Sequence, residues 1–299
     1  MKNICFFCSG HNGDIAHSKS FLRDIVDQLD VSYFFYHENN FKINKDLPLI
    51  QKYPYSFPEN INHFYDKFVE TEETLYINIW LTPWRHDNPD FFNINLNTFY
   101  GVFSLIYEKI SLTFNTKLRL KSMEEYFPTI DFNFVEKTNI DSYVKNSKNK
   151  KILICNGPCL AEQASYNGDM SSIIKKLSLK FDKNDFISTQ KFFIDECDNQ
   201  NRNLYFTEDI TQVFECDLNE IGYLSTFCDV IVGRNSGPFC FSTIKENYNN
   251  QSKVFYAFGE NEKLFCFNSG IEINAKFIYN DGSNEEVLYS TIENIINEI

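Results

Sequence analysis

The chain has 299 residues, enough for two domains or one large α/β domain, and its 43% hydrophobic content supports a sizeable, phenylalanine-rich core. A formal net charge of -13 argues against nonspecific nucleic-acid binding and against docking on anionic lipid through a broad basic face. Nine cysteines in a chain this long are not a disulfide framework; the odd count and the absence of an export signal at Met1–Cys5 point to free thiols in a cytoplasm. No run approaches the about 20 apolar residues of a spanning helix.

In chain order, residues 3–8 read as a buried first strand. Cys5 and Cys8 form a lone C-x-x-C whose members face opposite sides of a strand, so they read as core positions. Ser9–Asp14 is rich in turn formers, and a helix over 15–29 follows with Ile15, Phe21, Leu22, Ile25, Val26 and Leu29 at helical spacing. Val31–Tyr36 is a second strand. The glycine turn then lies at a strand's carboxyl end, where open parallel sheets hold their ligands. Ile61–Val69 reads as a helix, Leu75–Leu81 as a strand and Thr82–Pro89 as a loop carrying Arg85 and His86. Leu96–Phe114 has helical periodicity, and Lys117–Tyr126 reads as its helical continuation. Lys145–Lys151 is polar and basic, as an interdomain linker should be, which divides the chain into domains of residues 1–145 and 146–299.

A second strand–turn–helix pattern opens at Ile152–Cys155, turns at Asn156-Gly157-Pro158 and continues into a helix over Met170–Leu179. Asp185–Phe193 and Leu204–Phe206 are further strands. Asp217 stands where an N-cap belongs, ahead of a helix with Ile221, Leu224 and Phe227 on one face. Next comes Cys228-Asp229-Val230-Ile231-Val232-Gly233-Arg234-Asn235-Ser236-Gly237-Pro238: a buried strand, a glycine-flanked turn and a helical segment over Phe239–Asn247. Such a turn suits a phosphate, although from this stretch alone a plain strand-to-helix connection is the favoured reading. Val254–Phe258 is a strand and Glu285–Ile299 a final helix. The fold class is α/β, with two Rossmann-like doubly wound domains.

Two segments resemble the bacterial heptosyltransferases, family nine of the glycosyltransferases. Gly13-Asp14-Ile15-Ala16-His17-Ser18 is similar to that family's Gly-Asp-aliphatic-aliphatic-His-Thr segment after the first strand. Leu218 through Pro238 is similar to its carboxyl-side helix, strand and Gly-x-Asp-Ser/Thr-Gly turn. The chain departs from the pattern at Lys19, where a proline is common, at Asn235, where the family has aspartate, near Cys240, where it has histidine, and at Gln163–Gly168, where Lys-x-Trp is missing. The resemblance implies a GT-B architecture, two domains facing a cleft, with a last helix able to return to the first half.

It also implies inverting transfer of a sugar from a nucleotide-sugar to a hydroxyl acceptor, glycan or lipid-linked as in lipopolysaccharide, with room for peripheral membrane contact. Such a reaction needs a base on the acceptor and positive groups at the leaving diphosphate. Asp14 takes the base's place and His17 stands one turn later; the competing role for Asp14 is the N-cap of helix 15–29. Gly233, Arg234, Asn235, Ser236 and Gly237 are the donor-binding candidates, with Asn156 and Gly157 as an opposing turn. Gly13, Arg85 and His86 are the acceptor-side candidates. No Asp-x-Asp motif is suitably placed, so neither metal nor cofactor is expected. A nucleotide-sugar epimerase and a non-catalytic nucleotide- or glycan-binding protein remain open on the same scaffold.

Overall fold

The computed structural model describes residues 2–9, 12–37, 41–88, 91, 95–157, 168–194, 203–259, 262 and 272–299. Gly10 and His11 of the first turn, Pro89, Pro158 and residues 163–167 lie outside the described residues. The chain divides into two compact units, one running to Phe134 and the second beginning at Val135.

The first unit contains β1 (Asn3–Phe7), α1 (Asn12–Gln28), β2 (Tyr33–Tyr36), β3 (Ile50–Lys52), β4 (Phe68–Glu70), β5 (Thr74–Asn78), α2 (Thr82–Arg85) and α3 (Leu96–Thr113). Its five strands lie in the order β3-β2-β1-β5-β4, all parallel except β4, which runs antiparallel to β5 at the edge. β1 and β5 are buried along nearly their whole length, as central parallel strands must be, which explains their unbroken apolar runs. Cys5 and Cys8 are both buried. The helix α1 packs on α3 through stacked Phe21 and Phe103, whose ring centroids are 4.3 Å apart.

The second unit contains α4 (Thr138–Asn146), β6 (Lys150–Cys155), α5 (Ser171–Lys180), β7 (Asn184–Ser188), β8 (Leu204–Phe206), α6 (Thr207–Thr211), α7 (Leu218–Ser225), β9 (Val230–Gly233), α8 (Gly237–Ser242), α9 (Lys245–Tyr248), β10 (Val254–Phe258), β11 (Lys276–Asn280) and α10 (Glu285–Glu298). All six strands are parallel, in the order β11-β10-β9-β6-β7-β8. Read from the first strand of the unit, this is the doubly wound dinucleotide-fold order, in which the chain leaves β6 towards one edge and later returns beside it towards the other. α10, whose sequence resemblance would return it to the first half, buries Leu288, Ile292, Ile295 and Ile296 in the core of the second unit.

Several local expectations are corrected. Ile61–Val69 is not helical: Asn62 and Asp66 bond the backbone of their own turn, Phe64 N donating to Asn62 Oδ1 at 3.0 Å and Asn62 N to Asp66 Oδ2 at 2.7 Å. Such local side-chain bonds compete with a helix ladder. Thr82–Arg85, expected in a loop, makes a helical turn that accommodates Pro83 near its start. Of the expected continuation Lys117–Tyr126 only Met123–Tyr126 is helical, as a 3₁₀ turn closed by a Ser122/Glu125 capping box. Phe239–Asn247 is broken between α8 and α9. Asp217 stands at the N-cap of α7, but its side chain makes no cap bond. Lys150 and Lys151, read as linker, open strand β6, and Lys151 is buried with Nζ on the carbonyls of Ser147 and Asn149.

Candidate functional site

In the first unit, α1 begins at Asn12, so Asp14 is its third residue and stands inside the first turn, not at the cap as one reading of the sequence had it. Asp14 is 5% exposed. Burial pushes its carboxyl from 3.8 up to about 7, while the nearby Arg85 guanidinium and a hydrogen bond from the Leu81 backbone restrain the rise. Arg85 responds in kind: burial lowers its affinity for the proton, and Asp14 restores part of it. Its Nε donates to the carbonyl of Phe91 at 3.1 Å, which holds the guanidinium in place. The helical turn α2 after β5 therefore brings Arg85, read from the sequence as acceptor-side, within electrostatic reach of Asp14. A buried carboxyl balanced near neutrality is what a general base requires.

His17 is buried, with its ring 5.1 Å from that of Phe99. Burial holds its imidazole down at about 4, so it is neutral at physiological pH. Its Nδ1 has no hydrogen-bond partner. One turn from Asp14 on the same helix, it presents an uncharged polar edge. Gly13 is half-buried in the same first turn. His86 is exposed and stacks on Tyr65 at 5.3 Å.

In the second unit, a cleft of about 320 Å³ opens among Asn156, Gly168, Asp169, Gln190, Lys191, Phe192 and Arg234. Asn156, Gln190 and Arg234 stand just past the carboxyl ends of β6, β7 and β9, so the cleft occupies the switch point of the sheet, where doubly wound folds bind ligands. Arg234 is fully buried. Its Nη2 donates to Gly168 O at 3.0 Å and its cation lies 5.7 Å from the centre of the Phe258 ring. Asn156 is spent on bracing: its Oδ1 accepts from Ser188 Oγ at 2.9 Å and Gln190 N at 2.9 Å, which ties the ends of β6 and β7 together. Gly157 beside it has open space where a Cβ would stand.

The turn after β9 needs its first glycine. A Cβ on Gly233 would stand 2.7 Å from Phe239 Cδ2 and 2.8 Å from Cys155 Cβ. Asn235 Oδ1 accepts from Cys240 Sγ at 3.0 Å. Ser236 is buried at the start of α8 with a hydroxyl that has no hydrogen-bond partner, and half-buried Gly237 follows it. Among the described residues no group of three or more His, Cys, Asp or Glu gathers as a metal site, and no helix is long and apolar enough to cross a membrane. Sequence reasoning missed Leu81, Gln190 and Lys191. Only Lys191 carries a signal, as a cation, but by sequence it falls inside a strand over Asp185–Phe193, whereas β7 stops at Ser188.

No family model matches the chain, and no curated protein matches it. Among solved structures it is similar to E. coli heptosyltransferase WaaC with ADP, at a TM-score of 0.46 and 8% identity over 99% of each chain. It is also similar to the E. coli ADP-heptose lps heptosyltransferase II, at 0.45 and 12% over 100% of this chain and 99% of that one. A glycosyl transferase of family 9 from Veillonella parvula DSM 2008 matches at 0.41 and 12%, over 98% and 91%. At such identities and scores the functional reading rests on this chain's own side chains.

Proposed function

We propose that the chain is a glycosyltransferase that moves a sugar from a nucleotide-sugar to a hydroxyl acceptor with inversion. The observation that carries this reading is Asp14: a buried carboxyl at about 7, next to Arg85, on the first turn after the central strand of the first unit. In this reading Asp14 accepts the proton of the acceptor hydroxyl as its oxygen attacks the anomeric carbon. The bond to the leaving diphosphate breaks on the opposite face of the sugar. Neutral His17 orients the hydroxyl without competing for its proton.

The nucleotide-sugar occupies the switch-point cleft of the second unit. Arg234 supplies positive charge for the diphosphate, and the Ser236 hydroxyl supplies a donor as the leaving charge develops. Asn156 acts here by holding the cleft's walls. The donor class and the inversion follow from the sequence resemblance.

The test has two parts. Nucleoside diphosphates should raise the melting temperature of the chain by mass action, and Arg234→Met should weaken that effect at least about tenfold in concentration. Incubation with nucleotide-sugars and hydroxyl acceptors should give a linked product with loss of the nucleotide. An isomer of the donor would instead identify an epimerase, and binding without turnover a non-catalytic protein.

A further inference from the structure

We infer that the acceptor is a neutral carbohydrate, one of whose rings stacks on Phe64 and Tyr65. This rests on the reading of Asp14 as the base for a hydroxyl acceptor and names that acceptor's class. β5 ends at Asn78, which is wholly buried. Its Nδ2 donates to the carbonyls of His63 at 2.8 Å and Asp66 at 3.0 Å, and its Oδ1 accepts from Trp80 N at 3.0 Å. The turn over residues 62–66 is thereby clamped to the carboxyl end of the strand. Two large aromatics ride on this clamped turn, yet Phe64 is 57% exposed and Tyr65 67%. Single exposed aromatics are ordinary, but two adjacent ones on a clamped turn form a contiguous patch, the kind of surface that marks a binding site.

Each ring is supported from behind. Phe64 stands edge-on to Trp80, with centroids 5.0 Å apart, and Tyr65 lies nearly flat on His86 at 23°. His86 directly follows Arg85, whose charge acts on Asp14. The aromatics and the base thus share the loops at one end of one sheet. An aromatic face, electron-rich at its centre, suits the polarised C–H face of a pyranose, while the Tyr65 hydroxyl and the His86 imidazole offer hydrogen bonds to its rim. Arg85 answers Asp14 and Lys67 pairs with Asp87, so the cations here are matched by carboxylates and favour no anionic ligand. Two ring faces match a sugar in size and fall far below the about 800 Å² per partner of a stable protein interface.

Both tryptophans of the chain belong to this corner, Trp80 against Phe64 and Trp84 with its Nε1 on the Asn78 carbonyl. Their fluorescence reports on the corner without any donor. The full chain is titrated, with no nucleotide present, with the methyl glycosides of glucose, galactose, mannose, N-acetylglucosamine and glucuronic acid, and with cellobiose and lactose. At least one neutral sugar should change the emission saturably, with Kd on the order of 1 mM, and should receive saturation transfer in NMR. The double variant Phe64→Ala, Tyr65→Ala should keep its melting temperature and bind about tenfold more weakly or worse, whereas Tyr65→Phe should retain binding. The inference is overturned if no sugar perturbs either signal, if the double variant binds equally well, if the glucuronide binds tightest, or if the variant abolishes self-association with no sugar bound. Sugar binding without transfer would remove the transferase reading and leave the stacking site. Asp14-dependent turnover with no sugar effect at Phe64 and Tyr65 would remove the stacking site alone.

Discussion

Replacing Asp14 by Asn keeps the shape of the side chain, including an oxygen for the Leu81 backbone N–H, and removes its charge. The folded carboxyl sits at about 7 against an ordinary 3.8. Between those values the folded chain holds a proton that the unfolded chain has released, so stability falls as pH rises. At about 1.4 kcal/mol per pH unit, the whole loss is about 4 kcal/mol, complete slightly above pH 7. Asp14→Asn lacks this term. Its stability should match the parent's near pH 4 and exceed it by up to about 4 kcal/mol near pH 8. Urea unfolding followed by tryptophan emission measures this, because Trp80, Trp84 and Asp14 all belong to the first unit. The same variant should lose roughly 10²-fold or more in transfer rate, and the parent's rate should climb along a limb centred near neutrality. Parallel stability curves would refute the buried, raised carboxyl. An unchanged rate would refute the base.

His17, held at about 4, should show no imidazole titration in NMR until the pH falls well below the ordinary 6.5; a midpoint near 6.5 would mean it is solvated. Since its folded form resists protonation, it should cost stability as acid brings the pH down from 6.5 towards about 4. Gly233→Ala should cost about 1–3 kcal/mol, read as a lower melting temperature, because Cys155 Cβ cannot turn away from the new methyl; an unchanged melting temperature would refute the close approach. Asn78→Ala should cost about 3 kcal/mol, since it leaves two carbonyls and the Trp80 N–H without the partners they had, and a shift in tryptophan emission should accompany the loss.

Much of the fold was legible because central strands of parallel sheets are continuous apolar runs. Val254–Phe258 and Val230–Gly233 stand out that way, and the helices at 96–113 and 285–298 show their periodicity. Ile61–Val69 misled for the same reason. Its apolar spacing suits a helix, but Asn62, Asp66 and the distant Asn78 claim its backbone groups, and bonding across the chain leaves no periodic trace. Asp14 and Arg85 were each recognisable as candidates by residue type and position after a strand. Their coupling was not, because it depends on how the segment after β5 turns back over α1. Asn156 was legible as a turn residue, while its use as a brace between two strand ends emerges only from the register of β6 and β7.

The strand order of the second sheet has a kinetic corollary. β6 pairs with β9, Ile152 lying beside Val230, only after β7, β8 and α7 have been traversed. Parallel neighbours cannot be joined by a tight hairpin, so the centre of this sheet waits on the closure of a long loop. The cleft at the ends of β6, β7 and β9 should therefore form late in folding, which pulse-labelling hydrogen exchange at Ile152–Cys155 and Val230–Gly233 would test. A ligand seated across those three strand ends would act as a latch on the whole unit, lengthening its lifetime against proteolysis more than any contact confined to a surface loop.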